Sequence, residues 1–281
     1  MTINCKGKLI DLTVPKIMGI LNVTPDSFFD GGKYQNQNQI LARAEKLLAE
    51  GADFIDIGGY SSKPNADFVS EAEELSRIVS VVTLINKTFP SAILSIDTFR
   101  SNVAKACIDQ GAAMINDISA GSLDDNMMKT VAQMQVPYIM MHMRGTPQTM
   151  KTLIDYNDIV KEMLYYFSEK VAKARALGIN DLIIDPGFGF AKTLAQNYEL
   201  FQKLELFDIG LPLLVGISRK SMIYNLLNTS IEDSINGTTV LNTIALIKGA
   251  KILRVHDVKE AVECVKIFQL TISSSQLSVP N

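Results

Sequence analysis

The stretch Gly178-Ile179-Asn180-Asp181-Leu182-Ile183-Ile184-Asp185 sets the reading of the whole chain. A glycine closes a helical run, a short apolar segment follows, and a carboxylate stands at its end. Glycine supplies the left-handed position just past a helix, and a short run rich in Ile and Leu is what a parallel strand buried on both faces requires. The unit recurs. Gly51 leads into Ala52-Asp53-Phe54-Ile55-Asp56-Ile57, Gly111 into Ala112-Ala113-Met114-Ile115-Asn116, and Gly249 into Ala250-Lys251-Ile252-Leu253-Arg254.

The segments between these strands have helical period. From Gln39 to Glu50, Ile40, Leu41, Ala44, Leu47 and Leu48 share one face, and Arg43, Glu45, Lys46 and Glu50 face water. Further strands are expected at Lys16–Val23, Ser91–Asp97, Val136–His142 and Leu213–Ser218, which makes eight. Helices are expected over 36–50, 69–88, 99–110, 123–134, 155–177, 194–203, 219–248 in two pieces, and 257–271. Eight alternating pairs are the count of a (β/α)8 TIM barrel, with a doubly wound open sheet as the competing architecture. The polar residues at the strand ends favour the barrel: Asn22, Asp56, Asp97, Asn116, His142, Asp185, Ser218, and Arg254 with His256. Any one of them also reads as a helix cap, but a barrel builds its site from such groups together.

The chain has 281 residues, close to the ~250 of one such barrel, and no linker-like composition divides it. It reads as a single domain, 1–281, with residues 1–15 forming a hairpin that turns at Gly7 and closes the barrel bottom, and 273–281 a frayed tail. A net charge of −3 argues against general nucleic-acid binding. Two histidines and three scattered cysteines, with no C-x-x-C or H-x-x-x-H spacing, argue against zinc sites and a disulfide framework. Cytoplasm is the expected compartment. No signal-peptide core or run of ~18 apolar residues predicts export or a membrane span.

Three segments carry chemistry. Long loops follow the first two strands, Val23–Gln37 and Gly58–Val69; their Gly and Pro content suggests mobile covers, with ordinary surface loops as the plain alternative. Val215-Gly216-Ile217-Ser218-Arg219-Lys220-Ser221 ends a strand and opens a helix, which suits an anionic group but lacks the glycines of a P-loop. Asp185-Pro186-Gly187-Phe188-Gly189-Phe190-Ala191-Lys192 contains Gly-x-Gly without the third glycine of a dinucleotide fingerprint. It reads better as a sharp turn beside a strand-end carboxylate. A flat heterocycle with two adjacent N–H donors would pair with that carboxylate bidentately.

The ordered motifs Gly19-Ile20-Leu21-Asn22-Val23-Thr24-Pro25-Asp26-Ser27-Phe28, Asp56-Ile57-Gly58-Gly59, Ser95-Ile96-Asp97-Thr98, Ile115-Asn116-Asp117, Met141-His142-Met143, Asp185-Pro186-Gly187, Gly216-Ile217-Ser218-Arg219-Lys220-Ser221 and Arg254-Val255-His256-Asp257 span nearly the whole chain. Together they resemble the dihydropteroate synthases, the pterin-binding family of folate biosynthesis. The resemblance implies a transferase that replaces the diphosphate of 6-hydroxymethyl-7,8-dihydropterin diphosphate with p-aminobenzoate, the target of sulfonamides. It implies Asp97, Asn116, Asp185, Lys220, Arg254 and Met141 around the pterin. It implies Asn22, Ser62, Lys63, Arg254 and His256 at the diphosphate, with Asn22 holding Mg2+, and Phe28, Pro64, Phe190 and Ser221 around p-aminobenzoate. Asn22, Asp30, Lys220, Arg254 and His256 would be catalytic, and a homodimer is implied.

The sequence offers no Ser-His-Asp or Cys-His arrangement for covalent catalysis, which agrees with anion stabilisation and positioning. His142 reads as a hydrogen-bonded scaffold residue, Asp56 as structural inside the barrel, and the cysteines as small apolar residues. Relatives usually carry Arg at the position of Lys63, and often Thr and Gly at those of Ser62 and Asn65. Lys keeps the charge and loses the planar fork. The nearest rival is a pterin-binding methyltransferase domain; a silent binding paralogue, which would have lost Asn22, Asp97, Asp185, Lys220 or His256, is the third reading.

Overall fold

The structure, a computed structural model, describes residues 1–23, 33–60 and 69–271. The chain opens with an antiparallel hairpin, β1 (Thr2–Cys5) and β2 (Lys8–Asp11), turning on Lys6 and Gly7, both at positive φ. Then follow β3 (Lys16–Asn22), α1 (Lys33–Ala49), β4 (Phe54–Gly58), α2 (Glu71–Thr88), β5 (Leu94–Asp97), α3 (Ser101–Asp109), β6 (Met114–Asp117) and α4 (Met127–Met134). The second half comprises β7 (Tyr138–Met141), α5 (Ile159–Ala176), β8 (Leu182–Asp185), α6 (Leu194–Gln202), β9 (Leu214–Val215), α7 (Ser221–Leu227), α8 (Ile235–Ile247), β10 (Ile252–Val255) and α9 (Val258–Thr271).

Strands β3 to β10 form one parallel sheet in the order β8-β7-β6-β5-β4-β3-β10-β9. A parallel bridge between Ile184 and Leu213, with the Ile184 N–H donating to the Pro212 carbonyl at 3.0 Å, joins the two outer strands. The ring therefore closes, and the open doubly wound sheet is excluded.

Several strands begin two or three residues later than the apolar runs suggested. After each helix the glycine N–H bonds three residues back, as Gly51 does to Leu48, and the next N–H bonds five back, as Ala52 does to Leu47. The same pair of bonds follows at Gly111, Gly178 and Gly249, all at positive φ. This Schellman geometry spends the residue after each glycine on finishing the helix. Pro137 shortens β7 as well, since it has no N–H to give a ladder. The strand expected over Leu213–Ser218 pairs with β10 only through Leu214 and Val215, and Gly216 then lies beneath the Arg254 side chain.

Alternation along the strands divides the core in two. Outward residues such as Ile17, Leu21, Ile55, Ile57, Ile96, Ile115 and Leu253 pack under the helices. Inward residues at the amino ends of the strands, Met18, Phe54, Met114, Ile139, Ile183, Leu214 and Ile252, form a plug with Ile3, Cys5, Ile10 and Leu12 of the hairpin. The hairpin therefore seals the bottom as expected. It is tied there by the Asn4 N–H to Asp181 Oδ2 at 2.9 Å and by Lys6 Nζ to the Gly111 carbonyl.

Candidate active site

The inward residues at the other end of the same strands are polar. Asn22, Gly58, Asp97 and Asn116 are successive register partners across β3 to β6, so they stand side by side in one row, and Met141 and Asp185 are partners across β7 and β8. The Arg254 side chain rises from β10 into this layer. Its Nε donates to Asp56 Oδ2 at 2.6 Å and one terminal nitrogen donates to Asp97 Oδ2 at 2.7 Å. Asp56 Oδ2 also accepts from Asn116 Nδ2 at 3.0 Å, so this fully buried carboxylate aims both Arg254 and Asn116. Burial works against the charge of Arg254, but Asp56 and Asp97 outweigh it and hold the guanidinium more firmly protonated than usual. Burial pushes the Asp97 carboxyl up against the pull of Arg254, and Asp56 adds to the rise.

Behind Asp97, Thr98 donates to Glu74 Oε1 at 2.7 Å, and Glu74 also takes Arg100, which in turn donates to the Val69 carbonyl at 2.6 Å. The start of the α3 connection is thus fixed to α2 by a buried charged pair.

Asp185 ends β8 and is 5% exposed. Its Oδ1 accepts the Gly187 N–H at 2.8 Å. Only glycine fits at 187: φ is +66°, and a Cβ would lie 2.3 Å from the His142 carbonyl oxygen. The Pro-Gly turn expected beside the carboxylate is therefore present. Burial raises the Asp185 carboxyl, opposed chiefly by Lys220. Lys220 donates to the Phe188 carbonyl, and its Nζ lies 4.9 Å from the centre of the Phe190 ring. Burial lowers it to about 8, with Asp185 pulling the other way. Ser221, the first residue of α7, is exposed beside it.

His256 follows β10. Its Nδ1 lies 3.1 Å from Ser218 Oγ, and its N–H donates to the same oxygen, which brings the ends of β9 and β10 together. Arg219 departs from expectation. It is not a cation offered to a ligand: held at φ +54°, it forms two bonds of 2.8 and 2.9 Å to the Asp257 carboxylate and two more to the Ile231 and Glu232 carbonyls. The capacity of this turn to take an anionic group therefore rests on Lys220 and Ser221.

His142 is buried as a scaffold residue, its ring edge-on to Tyr166. Met141 is 3% exposed in a small cluster with Ile118, Met143, Met150 and Ala191. Sequence reasoning placed Asp56 inside the barrel without its partners, and it passed over Lys192, whose Nζ has three acceptors. Its only signal was a lysine at the end of the Asp185 turn. Phe28, Asp30, Ser62, Lys63, Pro64 and Asn65, with the rest of 24–32 and 61–68 in the two long loops and the tail from 272, lie outside the described residues, and the first expected loop ends early because α1 begins at Lys33.

Residues 18–256 match the pterin binding enzyme family. The chain is 41% identical to the dihydropteroate synthase of Escherichia coli strain K12 over 279 residues, 98% of each chain. It superimposes with a TM-score of 0.91 on the dihydropteroate synthase of Yersinia pestis in complex with a sulfonamide drug, at 42% identity over 98% of this chain and 100% of that one. It is similar also to the Xanthomonas albilineans dihydropteroate synthase solved with 4-aminobenzoic acid, with a TM-score of 0.89 and 37% identity over 96% and 97% of the two chains. The chain belongs to the pterin-binding enzymes, and within them to the dihydropteroate synthases. The methyltransferase reading falls away.

Proposed function

We propose that the chain, acting as a single domain, joins 6-hydroxymethyl-7,8-dihydropterin diphosphate to p-aminobenzoate, releasing 7,8-dihydropteroate and diphosphate. The observation that carries this reading is the polar layer at the open end of the barrel, where Asp97, Asn116 and Asp185 face inward around Arg254 and Lys220. A carboxylate accepts two parallel N–H donors, so Asp185 suits the 2-amino and N3 edge of a pterin, while Asp97 and Asn116 match the rest of the ring. Arg254 and Met141 border it. A ring of another pattern would leave these buried groups unpaired.

The methylene C–O bond breaks and its electron pair leaves with diphosphate. The electron-rich dihydropterin stabilises the cationic carbon, and the arylamine nitrogen forms the new C–N bond and releases a proton. The chain's part is positioning and charge. Arg254, His256, Ser62, Lys63 and Asn22 are assigned to the diphosphate, and Asp30 of the first loop to catalysis. Phe28, Pro64, Phe190 and Ser221 are assigned to p-aminobenzoate, its carboxylate at Ser221, and Lys220 to the pterin.

Among the described residues no group of three or more His, Cys, Asp and Glu side chains gathers to hold a metal. Mg2+ is commonly bound through one or two protein oxygens, with substrate phosphate and water completing its shell. Asn22 Oδ1 would hold it, and when bound the ion neutralises charge on the departing diphosphate.

A homodimer is part of the proposal. Leu226, Leu227, Val240, Ile247, Ile267 and Leu270 on α7, α8 and α9 are each about half exposed or more, an apolar face suited to a second copy. The cytoplasm is the proposed compartment, in keeping with three free, buried cysteines; among the described residues no helix is long and apolar enough to cross a membrane.

The test is to incubate the purified protein with the pterin diphosphate, p-aminobenzoate and Mg2+ and to look for dihydropteroate by mass spectrometry. Product that depends on both substrates is expected. Its absence from protein that still binds the pterin would overturn the reading.

A further inference from the structure

The loop from Asp185 to Lys192 carries more of the site than any other described segment. It holds the Asp185 carboxylate through the Gly187 N–H, takes Lys220 on the Phe188 carbonyl, and sets the Phe190 ring beneath the Lys220 ammonium. The geometry points to Lys192, with His142 as its partner, as the positioning residue that locks this loop in its binding-competent shape.

Lys192 is 9% exposed and His142 3%. Burial lowers Lys192 to about 7, with Asp185 pulling the other way, and in its charged form it has three N–H donors and no acceptor. Lys192 Nζ has three acceptors around it: the Gly187 carbonyl at 2.9 Å, the Phe190 carbonyl at 2.9 Å and His142 Nδ1 at 3.1 Å. The first two belong to the loop itself, and the third belongs to the end of the neighbouring strand. The side chain therefore folds back under its own loop and fastens it to the residue after β7.

His142 is suited to accept. Burial, and then the charge of Lys192, hold its imidazole well below the usual range, so the ring stays neutral, and in the tautomer with the proton on Nε2 its Nδ1 accepts from Lys192 Nζ. Its ring is fixed by Tyr166, edge-on at 4.9 Å, and the His142 backbone N–H donates to the Asp185 carbonyl at 2.9 Å. The loop has other supports, from Asn197 Oδ1 to the Gly189 N–H at 2.7 Å and from Tyr156 to the Ala191 carbonyl at 3.0 Å. Lys192 alone bonds both Gly187 and Phe190, the two points between which the loop presents Phe188 and its hold on Lys220. Without those bonds, the part-buried Phe190 carbonyl loses its Lys192 donor and the Gly187 carbonyl keeps only the Phe190 N–H at 3.1 Å, so the loop is held less firmly in this shape.

This inference rests on the proposed pterin site, so its test reads ligand binding as well as turnover. Affinity for 6-hydroxymethyl-7,8-dihydropterin is measured by calorimetry on the full chain, together with KM for p-aminobenzoate and kcat, for Lys192→Met, His142→Leu and His142→Asn. Asparagine places an oxygen near the position of Nδ1, so it can still accept from Lys192. Lys192→Met and His142→Leu are expected to weaken pterin binding and to raise KM for p-aminobenzoate at least ten-fold each, with the larger effect in Lys192→Met. His142→Asn is expected to keep pterin affinity within about three-fold of the original. A Lys192→Met protein that binds the pterin as tightly as the original overturns the assignment. So does a His142→Asn protein as impaired as His142→Leu. If Lys192→Met does not fold, the two His142 variants decide the matter between them. Wild-type protein that binds the pterin without making dihydropteroate would count against the proposed reaction and leave the affinity comparison standing.

Discussion

The two ends of the barrel are built from the same eight strands and do opposite things. At the amino ends, inward positions are filled by Met18, Phe54, Met114, Ile139, Ile183, Leu214 and Ile252 under the hairpin. Two residues further along β4, β6, β8 and β10, the inward positions are Asp56, Asn116, Asp185 and Arg254. One end is dry and plugged; the other gathers buried charge. An apolar layer stabilises by leaving water, whereas a buried charged layer is stable only as a matched set. Stability and recognition are thus divided along the barrel axis, and substitutions at the two ends should separate them.

The largest effect is expected at the open end. Asp185→Asn replaces one acceptor oxygen with a donor facing the ring's own donors, and should lower kcat/KM by roughly 10³-fold or more with little change in melting temperature. Steady-state kinetics with a thermal melt checks both halves. At the plugged end the pattern reverses: Phe54→Ala should cost about 3–5 kcal/mol of stability in denaturant titration, with kcat/KM unchanged where the protein stays folded. Equal losses of activity and stability at both ends would break the division.

A pH dependence sharpens it. Lys220 is lowered to about 8 from an ordinary value near 10.5, so between those values the unfolded chain binds more protons at this residue than the folded one. Its contribution therefore makes stability rise with pH over that window, while activity that needs its positive charge falls as pH passes about 8. Lys220→Met should make the stability profile less steep between pH 8 and 10.5, with Lys192, lowered to about 7, supplying part of the slope that remains; an unaltered profile would contradict a depressed Lys220. The smallest effect is expected from Lys63→Arg, a few-fold change at most in the apparent affinity for the pterin diphosphate or in sulfonamide inhibition. If neither moves, lysine at 63 is neutral.

Much of this was legible in the residues because the barrel repeats. A glycine after each of four helices and a polar residue at the strand ends mark where chain segments begin and stop, and inward spacing of two along a strand predicts which groups share the barrel interior. The boundaries were less legible, since the hydrogen bonds that finish a helix use the same apolar residues that open the next strand. Pairings between distant residues were not legible at all. Arg219 looks like a free cation until Asp257, 38 positions on, takes it bidentately. Asp56 looks merely structural until Arg254 and Asn116 converge on one of its oxygens. Lys192 resembles any loop lysine until its three acceptors are in place.

The central claim is that the open-end layer reads a pterin ring, and calorimetric titration of 6-hydroxymethyl-7,8-dihydropterin into the wild-type protein, Asp185→Asn and Phe54→Ala tests it most directly. Wild type and Phe54→Ala are expected to bind it with similar affinity, and Asp185→Asn to lose at least a hundred-fold. Equal affinity in all three would contradict the claim.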